Sequence, residues 1–251
     1  MGVLNRIVEF HRNVLDMLLL QILIFKINES KTLIEMFLKD IWSEIEKAKI
    51  DKMCLHFQIY PKYTVNIQGI SHTYRQLRLY LSDSKWITDT ILNQYLYAFQ
   101  TQNRVENTWI CSSFEFEAMQ RAQNIEHLVD KFCSFTKLIM PIHVANHWLC
   151  ARFQPQNGQF FIYDSLNTRN EYVENVFHNF WEKVKSYNNW KTDLKIKTVD
   201  TPKQPDHNSC GLYCISNVKS LFMGLPLVDI RDELSEVRHN IMYTVLKKEF
   251  E

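Results

Sequence analysis

Between residues 137 and 164 the chain changes its period, and this block constrains the fold more than any other stretch. Three short runs, KLIMPIHV from Lys137, HWLCARF from His147 and QFFIYDS from Gln159, are apolar or alternating, as strands covered on at least one face are. The first two are parted at Asn146 and the last two by Gln156-Asn157-Gly158, a hairpin-turn signal. Strands joined by such a turn are antiparallel neighbours, so side chains from the second and third runs can meet on one face. Around this block apolar residues recur at helical spacing. Helices are expected over 30–49, 88–101 and 113–131 before it, and over 170–186, 210–223 and 230–250 after it. One further alternating strand, DLKIKTV, is expected over 193–199. The helix from Ser30 carries its stripe on Leu33, Ile34, Phe37, Leu38, Ile41, Trp42 and Ile45, and the last helix on Ile230, Leu234, Val237, Ile241 and Val245. Residues 51–80 mix periods and give no reading. Helices, a small sheet and helices again make the fold class α+β.

Composition narrows the function classes. With 46% apolar and 13% aromatic residues in 251, the chain can bury a sizeable core, and 5 Gly and 6 Pro exclude a low-complexity chain. Lys+Arg (29) and Asp+Glu (28) nearly cancel, so no global basic field points to nucleic acid. The 6 cysteines form no CxxC pair, which argues against a disulfide framework and for a reducing interior. Residues 14–25 are hydrophobic behind Arg6 and Arg12, yet Asp16 and Gln21 interrupt them and no small-residue cleavage site follows. The run is also too short to span a membrane. It is read as a core or interface helix, forming a helical hairpin with 30–49. Gly2 lacks the Ser or Thr that a myristoylation signal needs, since Arg6 stands there, and Asn28-Glu29-Ser30 is read as a chance glycosylation pattern.

A thiol hydrolase needs a cysteine held as thiolate, a histidine beside it, a group that orients the histidine, and donors facing the oxyanion. Helix N-termini favour the anion, and Cys210 opens the helical GLYCISNVKSLF after a polar, turn-rich segment. Gly211 behind it leaves room for a substrate backbone. A lone cysteine at a helix start is more often structural, so the other members decide. His147 opens a strand, Asp164 ends the next one, and Gln204 lies in the loop before Cys210, where its amide could serve the oxyanion. Asp200 and Asp206 compete with Asp164 as orienter, but neither follows a strand adjacent to that of His147. His143 is read as structural, facing away by even spacing. His207, Cys210 and Cys214 match no standard zinc spacing, so no metal is expected.

These residues resemble the ubiquitin-like-protein proteases, the sentrin/SUMO-specific family with adenovirus protease as a distant relative. The resemblance rests on His147-Trp148, Asp164-Ser165-Leu166, Gln204 with Cys210-Gly211, and an upstream LSDSKWITDTIL, and it spans roughly 70–225. It implies a papain-like, adenain-like fold: a small mixed central sheet flanked by helices, with a catalytic domain over 70–251 behind a mainly helical extension over 1–69. It implies a cysteine protease or isopeptidase that cuts after the Gly-Gly end of a ubiquitin-like modifier, SUMO first, with NEDD8 and ubiquitin as further candidates. Cys210 would be the nucleophile, His147 the base, Asp164 the orienter and Gln204 an oxyanion donor. Trp148 and Trp86 would clamp the substrate tail, and Asp89 would meet a basic residue of the modifier. No cofactor, nucleic acid or membrane is implied. An intracellular setting, cytoplasm or nucleus, or delivery into a host cell, is expected, and residues 1–50 would pack on the catalytic domain or bind a protein partner. Three positions depart from the family pattern: Ser209 stands for an Asp, Asp206 for an Asn and Thr88 for an Asn. A related acetyltransferase branch with a similar Cys/His/acid set and a non-catalytic modifier binder are the competing readings.

Overall fold

The computed structural model describes residues 31–67, 69–82, 85–121, 126–168, 170–188 and 190–247. The apolar run at 14–25, its hairpin and the Ser30 cap lie outside them. The chain divides into two compact units, Met1–Ala48 and Lys49–Glu251. The first helix, α1 (Lys31–Ile59), runs past its expected end at 49. The unread stretch holds a two-stranded antiparallel hairpin, β1 (Thr64–Ile67) and β2 (Ile70–Thr73), then α2 (Tyr74–Tyr80). Strands of four residues are too short to show a period. The start of α2 carries a signal that the reading of this stretch did not use: Thr73 and Gln76 form a reciprocal capping box.

The central sheet has five strands in chain order: β3 (Thr108–Ile110), β4 (Lys137–Val144), β5 (His147–Gln154), β6 (Gln159–Tyr163) and β7 (Lys195–Val199). The inner pairings β4/β5 and β5/β6 are antiparallel, and the outer pairings β3/β4 and β6/β7 are parallel, so the sheet is mixed. Alternation sends the side chains of the middle strands to two separate cores. Leu138, Met140, Ile142, Leu149, Ala151, Phe153, Phe160 and Ile162 face the core shared with α4 (Ser113–Arg121), α5 (Glu126–Ser134) and α6 (Glu171–Asn188). There the Phe160 and Phe177 rings lie 3.7 Å apart. Ile139, Trp148, Cys150 and Tyr163 face the other core, built with α3 (Asp89–Gln102), α7 (Cys210–Met223) and α8 (Leu234–Leu246). The site lies on this second face.

Two expected elements differ. The helix expected over 113–131 is two helices, α4 and α5, with 122–125 outside the described residues. The last helix is shorter, and its buried side is rotated. Arg238, Ile241, Met242, Tyr243 and Leu246 are buried, whereas Leu234, Val237 and Val245 of the expected stripe are only partly covered. Packing against both α3 and α7 explains this, because two neighbours cover more than one stripe. The inward polar residue is satisfied in part by the main chain: Arg238 Nη1 donates to Tyr80 O at 3.0 Å.

Candidate active site

His147 is delivered by a two-residue turn. Ala145 and Asn146 have φ of 49° and 64°, the left-handed pair that matches strand twist in a tight hairpin. Asn adopts this conformation readily, whereas Ala145 is held in it at some cost by the pairing of β4 with β5. His147 is thereby the first residue of β5, and Asp164 follows the last residue of β6. The two meet across the hairpin, His147 Nε2 to Asp164 Oδ1 at 2.6 Å.

Asp164 is 1% exposed, and a buried carboxylate needs donors. Besides His147, Oδ1 accepts from the Leu166 amide at 2.9 Å. Oδ2 accepts from the Thr168 amide at 2.9 Å, the Thr168 hydroxyl at 2.6 Å and the Asn170 side-chain amide at 3.3 Å. Burial works against the anion, but the bonds from His147, Thr168 and Leu166 prevail and hold its carboxyl well below the usual carboxylate range. Thr168 and Asn170 were missed from sequence. The signal was an Asp followed by a polar run, the pattern of a side chain that bonds its own downstream backbone.

Cys210 is the first residue of α7 and is buried. Its thiol neighbours the His147 ring closely enough to act on that ring's titration. With Nε2 on Asp164, Nδ1 is the ring nitrogen left for the thiol. Burial disfavours charge on the ring, yet the bond to Asp164 and the Cys210 thiol outweigh it and push His147 from 6.5 up to about 9. Burial pushes the other deeply buried thiols, Cys111, Cys150 and Cys214, up. Cys214, one turn into α7, donates to Leu149 O at 3.2 Å.

Gln204 is buried and held at both ends of its amide. Its Oε1 accepts from the Ser165 hydroxyl at 2.6 Å, and its Nε2 donates to Asp206 O at 2.7 Å, leaving the second N–H of that nitrogen unassigned. Ser165, the middle residue of Asp164-Ser165-Leu166, thus ties the end of β6 to the loop before Cys210.

The two tryptophans differ. Trp148 is 2% exposed, donates from Nε1 to Ile87 O at 3.0 Å and stacks on His143 with centroids 4.5 Å apart. The register pairs His143 directly with Trp148 and Val144 with His147, so His143 shares the face of Trp148 rather than that of His147. Trp86 is 41% exposed, and its Nε1 donates to Asn208 Oδ1 at 2.9 Å. Of the two, Trp86 has the open ring. A Cβ at Gly211 would lie 3.0 Å from Ile87 Cβ and 3.3 Å from Trp148 Cδ1, so the missing side chain admits these two residues rather than leaving an open approach. Asp89 is engaged within the protein: Oδ1 accepts from the Ser113 hydroxyl at 3.0 Å, and Oδ2 lies 3.6 Å from His143 Nδ1. Thr88 caps α3 through its side chain, a task that Thr and Asn share.

Asp200 is exposed and 3.6 Å from Lys203 Nζ, and Asp206 bonds its own loop, so of the three acids Asp164 is the one on His147. Among the described residues no cluster of His, Cys, Asp or Glu could hold a metal ion, and no helix is long and apolar enough to cross a membrane.

The sequence profile of the Ulp1 protease family, C-terminal catalytic domain, matches residues 78–249. A sentrin-specific protease of Caenorhabditis elegans is 24% identical over 148 residues, 53% of this chain and 21% of that protein, so the chain spans about a fifth of this curated relative. The fold is shared with the C-terminal Ulp1 protease domain solved in complex with Smt3, the yeast ortholog of SUMO. That match has TM-score 0.66 and 19% identity, over 81% of this chain and 96% of that one. The Ulp1-like SUMO protease catalytic domain of Chaetomium thermophilum matches with TM-score 0.62 and 15% identity, over 82% and 92%.

Proposed function

Since the chain belongs to the Ulp1 protease family, we propose that it is a cysteine protease or isopeptidase that cleaves after the C-terminal Gly-Gly of a ubiquitin-like modifier, SUMO first among the candidates. The observation that carries this reading is Cys210 at the start of α7 against a His147 ring that Asp164 holds at 2.6 Å. In the proposed reaction the Cys210 sulfur attacks the carbonyl of the terminal glycine. His147 takes the thiol proton and returns it to the leaving amine, and Asp164 fixes the ring. The free N–H of Gln204 and the amide of Cys210, which has no helical partner at a first turn, face the oxyanion. Water then releases the acyl group from sulfur. Trp86 and Trp148 wall a slot too narrow for side chains at the two glycines. A reducing intracellular compartment suits the free thiol.

The test is a panel of modifiers (SUMO, NEDD8 and ubiquitin) with thiol-reactive C-termini, run beside turnover of Gly-Gly, Gly-Ala and Ala-Gly tails. Labelling should fall on Cys210, and either alanine should block turnover. Cys210→Ala and His147→Ala should each lower kcat by on the order of 10⁴-fold or more, because such residues act as a unit. Labelling of Cys150 or Cys214 instead, equal cleavage of alanine tails, or acetyl transfer from acetyl coenzyme A without cleavage would overturn the reading.

A further inference from the structure

The loop between Gln204 and Cys210 departs from the family pattern at two positions, Asp206 and Ser209, and the structure joins them. The Ser209 hydroxyl donates to Asp206 Oδ2 at 2.6 Å. Asp206 Oδ1 accepts from the amides of Asn208 at 2.7 Å and Ser209 at 2.8 Å. The main-chain oxygen of the same residue takes the Gln204 side-chain amide at 2.7 Å. Ser209 is the residue that precedes α7, yet its hydroxyl makes no bond to the helix and points back to Asp206 instead. One carboxylate therefore closes the turn that leads into the nucleophile, and the same residue's carbonyl aims the oxyanion amide.

We propose that Asp206 is the positioning residue of the oxyanion side of the site, with Ser209 as its obligatory partner. It touches no reacting atom and acts by fixing Gln204 and the main chain at Cys210 as one rigid turn. Positioning of this kind matters because sub-ångström displacement of reacting groups costs rate. Burial opposes the Asp206 anion, but the bonds from Ser209 and Asn208, with a smaller contribution from the Arg238 guanidinium, together outweigh it and hold its carboxyl below the usual range. The partnership also accounts for both departures at once: the carboxylate stands at 206 rather than 209, and the donor at 209 rather than 206.

The inference rests on Gln204 and Cys210 serving the proposed hydrolysis, and the experiment separates the two. The full chain is assayed for kcat and KM on a SUMO precursor, with melting temperature recorded for each variant. Asp206→Asn weakens the acceptor for Ser209, and Ser209→Asp sets two carboxylates against each other. Each should lower kcat by about tenfold or more, within the range of coupled pairs in direct contact. Ser209→Ala, which removes one buried hydroxyl and is the safest for folding, should lower kcat by about three- to tenfold. The reversed pair, Asp206→Asn with Ser209→Asp, restores one donor facing one carboxylate and should be faster than either of its single variants. A reversed pair no faster than its slower parent, losses confined to KM, or an unaffected Ser209→Ala would overturn the inference. A wild-type chain that labels on Cys210 yet turns over no modifier would instead overturn the function.

Discussion

His147 illustrates how far one residue's chemistry follows from its neighbours. Two strands and a turn set it beside Asp164, and the ring's folded value of about 9 lies above its ordinary 6.5. A group raised in this way contributes stability that is complete below about pH 6.5 and is lost as pH rises through about 9. The melting-temperature gap between the wild type and His147→Gln should thus be widest near neutral pH or below and close above about pH 9; a gap that grew with pH would refute the pairing. Asp164 acts at the opposite end, because its depressed value means that its contribution is lost only in strong acid. The pairing of these two residues was legible because a hairpin makes sequence spacing a spatial statement. What was not legible is the support: Thr168, Asn170 and Ser165 act through side-chain bonds in an irregular loop, where no period links position to direction.

At the level of elements, the contact between α7 and β5 decides whether Cys210 reaches His147. Gly211 lets the first turn of α7 lie against Trp148 and Ile87, with space for no carbon between them. Gly211→Ala should therefore cost about 1–3 kcal/mol as overpacking. It should also lower kcat by up to about 100-fold if α7 shifts by about 1 Å. Unchanged melting and unchanged turnover would show that the approach is not needed. The long strands and α7 were readable from pattern because each shows several periods. The three-residue β3, the four-residue β1 and β2, and the break between α4 and α5 were not, since short elements owe their form to their neighbours. The buried side of α8 escaped for a related reason, as Arg238 breaks the apolar stripe and is nonetheless the residue turned inward.

Across the whole molecule the sheet separates two cores, and the chemistry touches only the one beneath α7. The bonds that join the site differ in how much chain they enclose. His147 and Asp164 are 17 residues apart, whereas Cys214 reaches Leu149 across 65 and Trp148 reaches Ile87 across 61. Closing a short loop costs less entropy than closing a long one, and local pairing tends to precede distant pairing. The β5–β6 hairpin is therefore expected to be formed in the folding transition state, with α7 docking afterwards. Ile162→Val in β6 should mainly slow folding, and Val218→Ala in α7 should mainly speed unfolding; the opposite pattern in the two rate constants would reverse the order. The consequence concerns the nascent chain. Its histidine and carboxylate are expected to pair early and Cys210 to meet them only when α7 docks, so in the proposed reaction a half-folded molecule would carry an unassisted cysteine and leave bystander amide bonds intact.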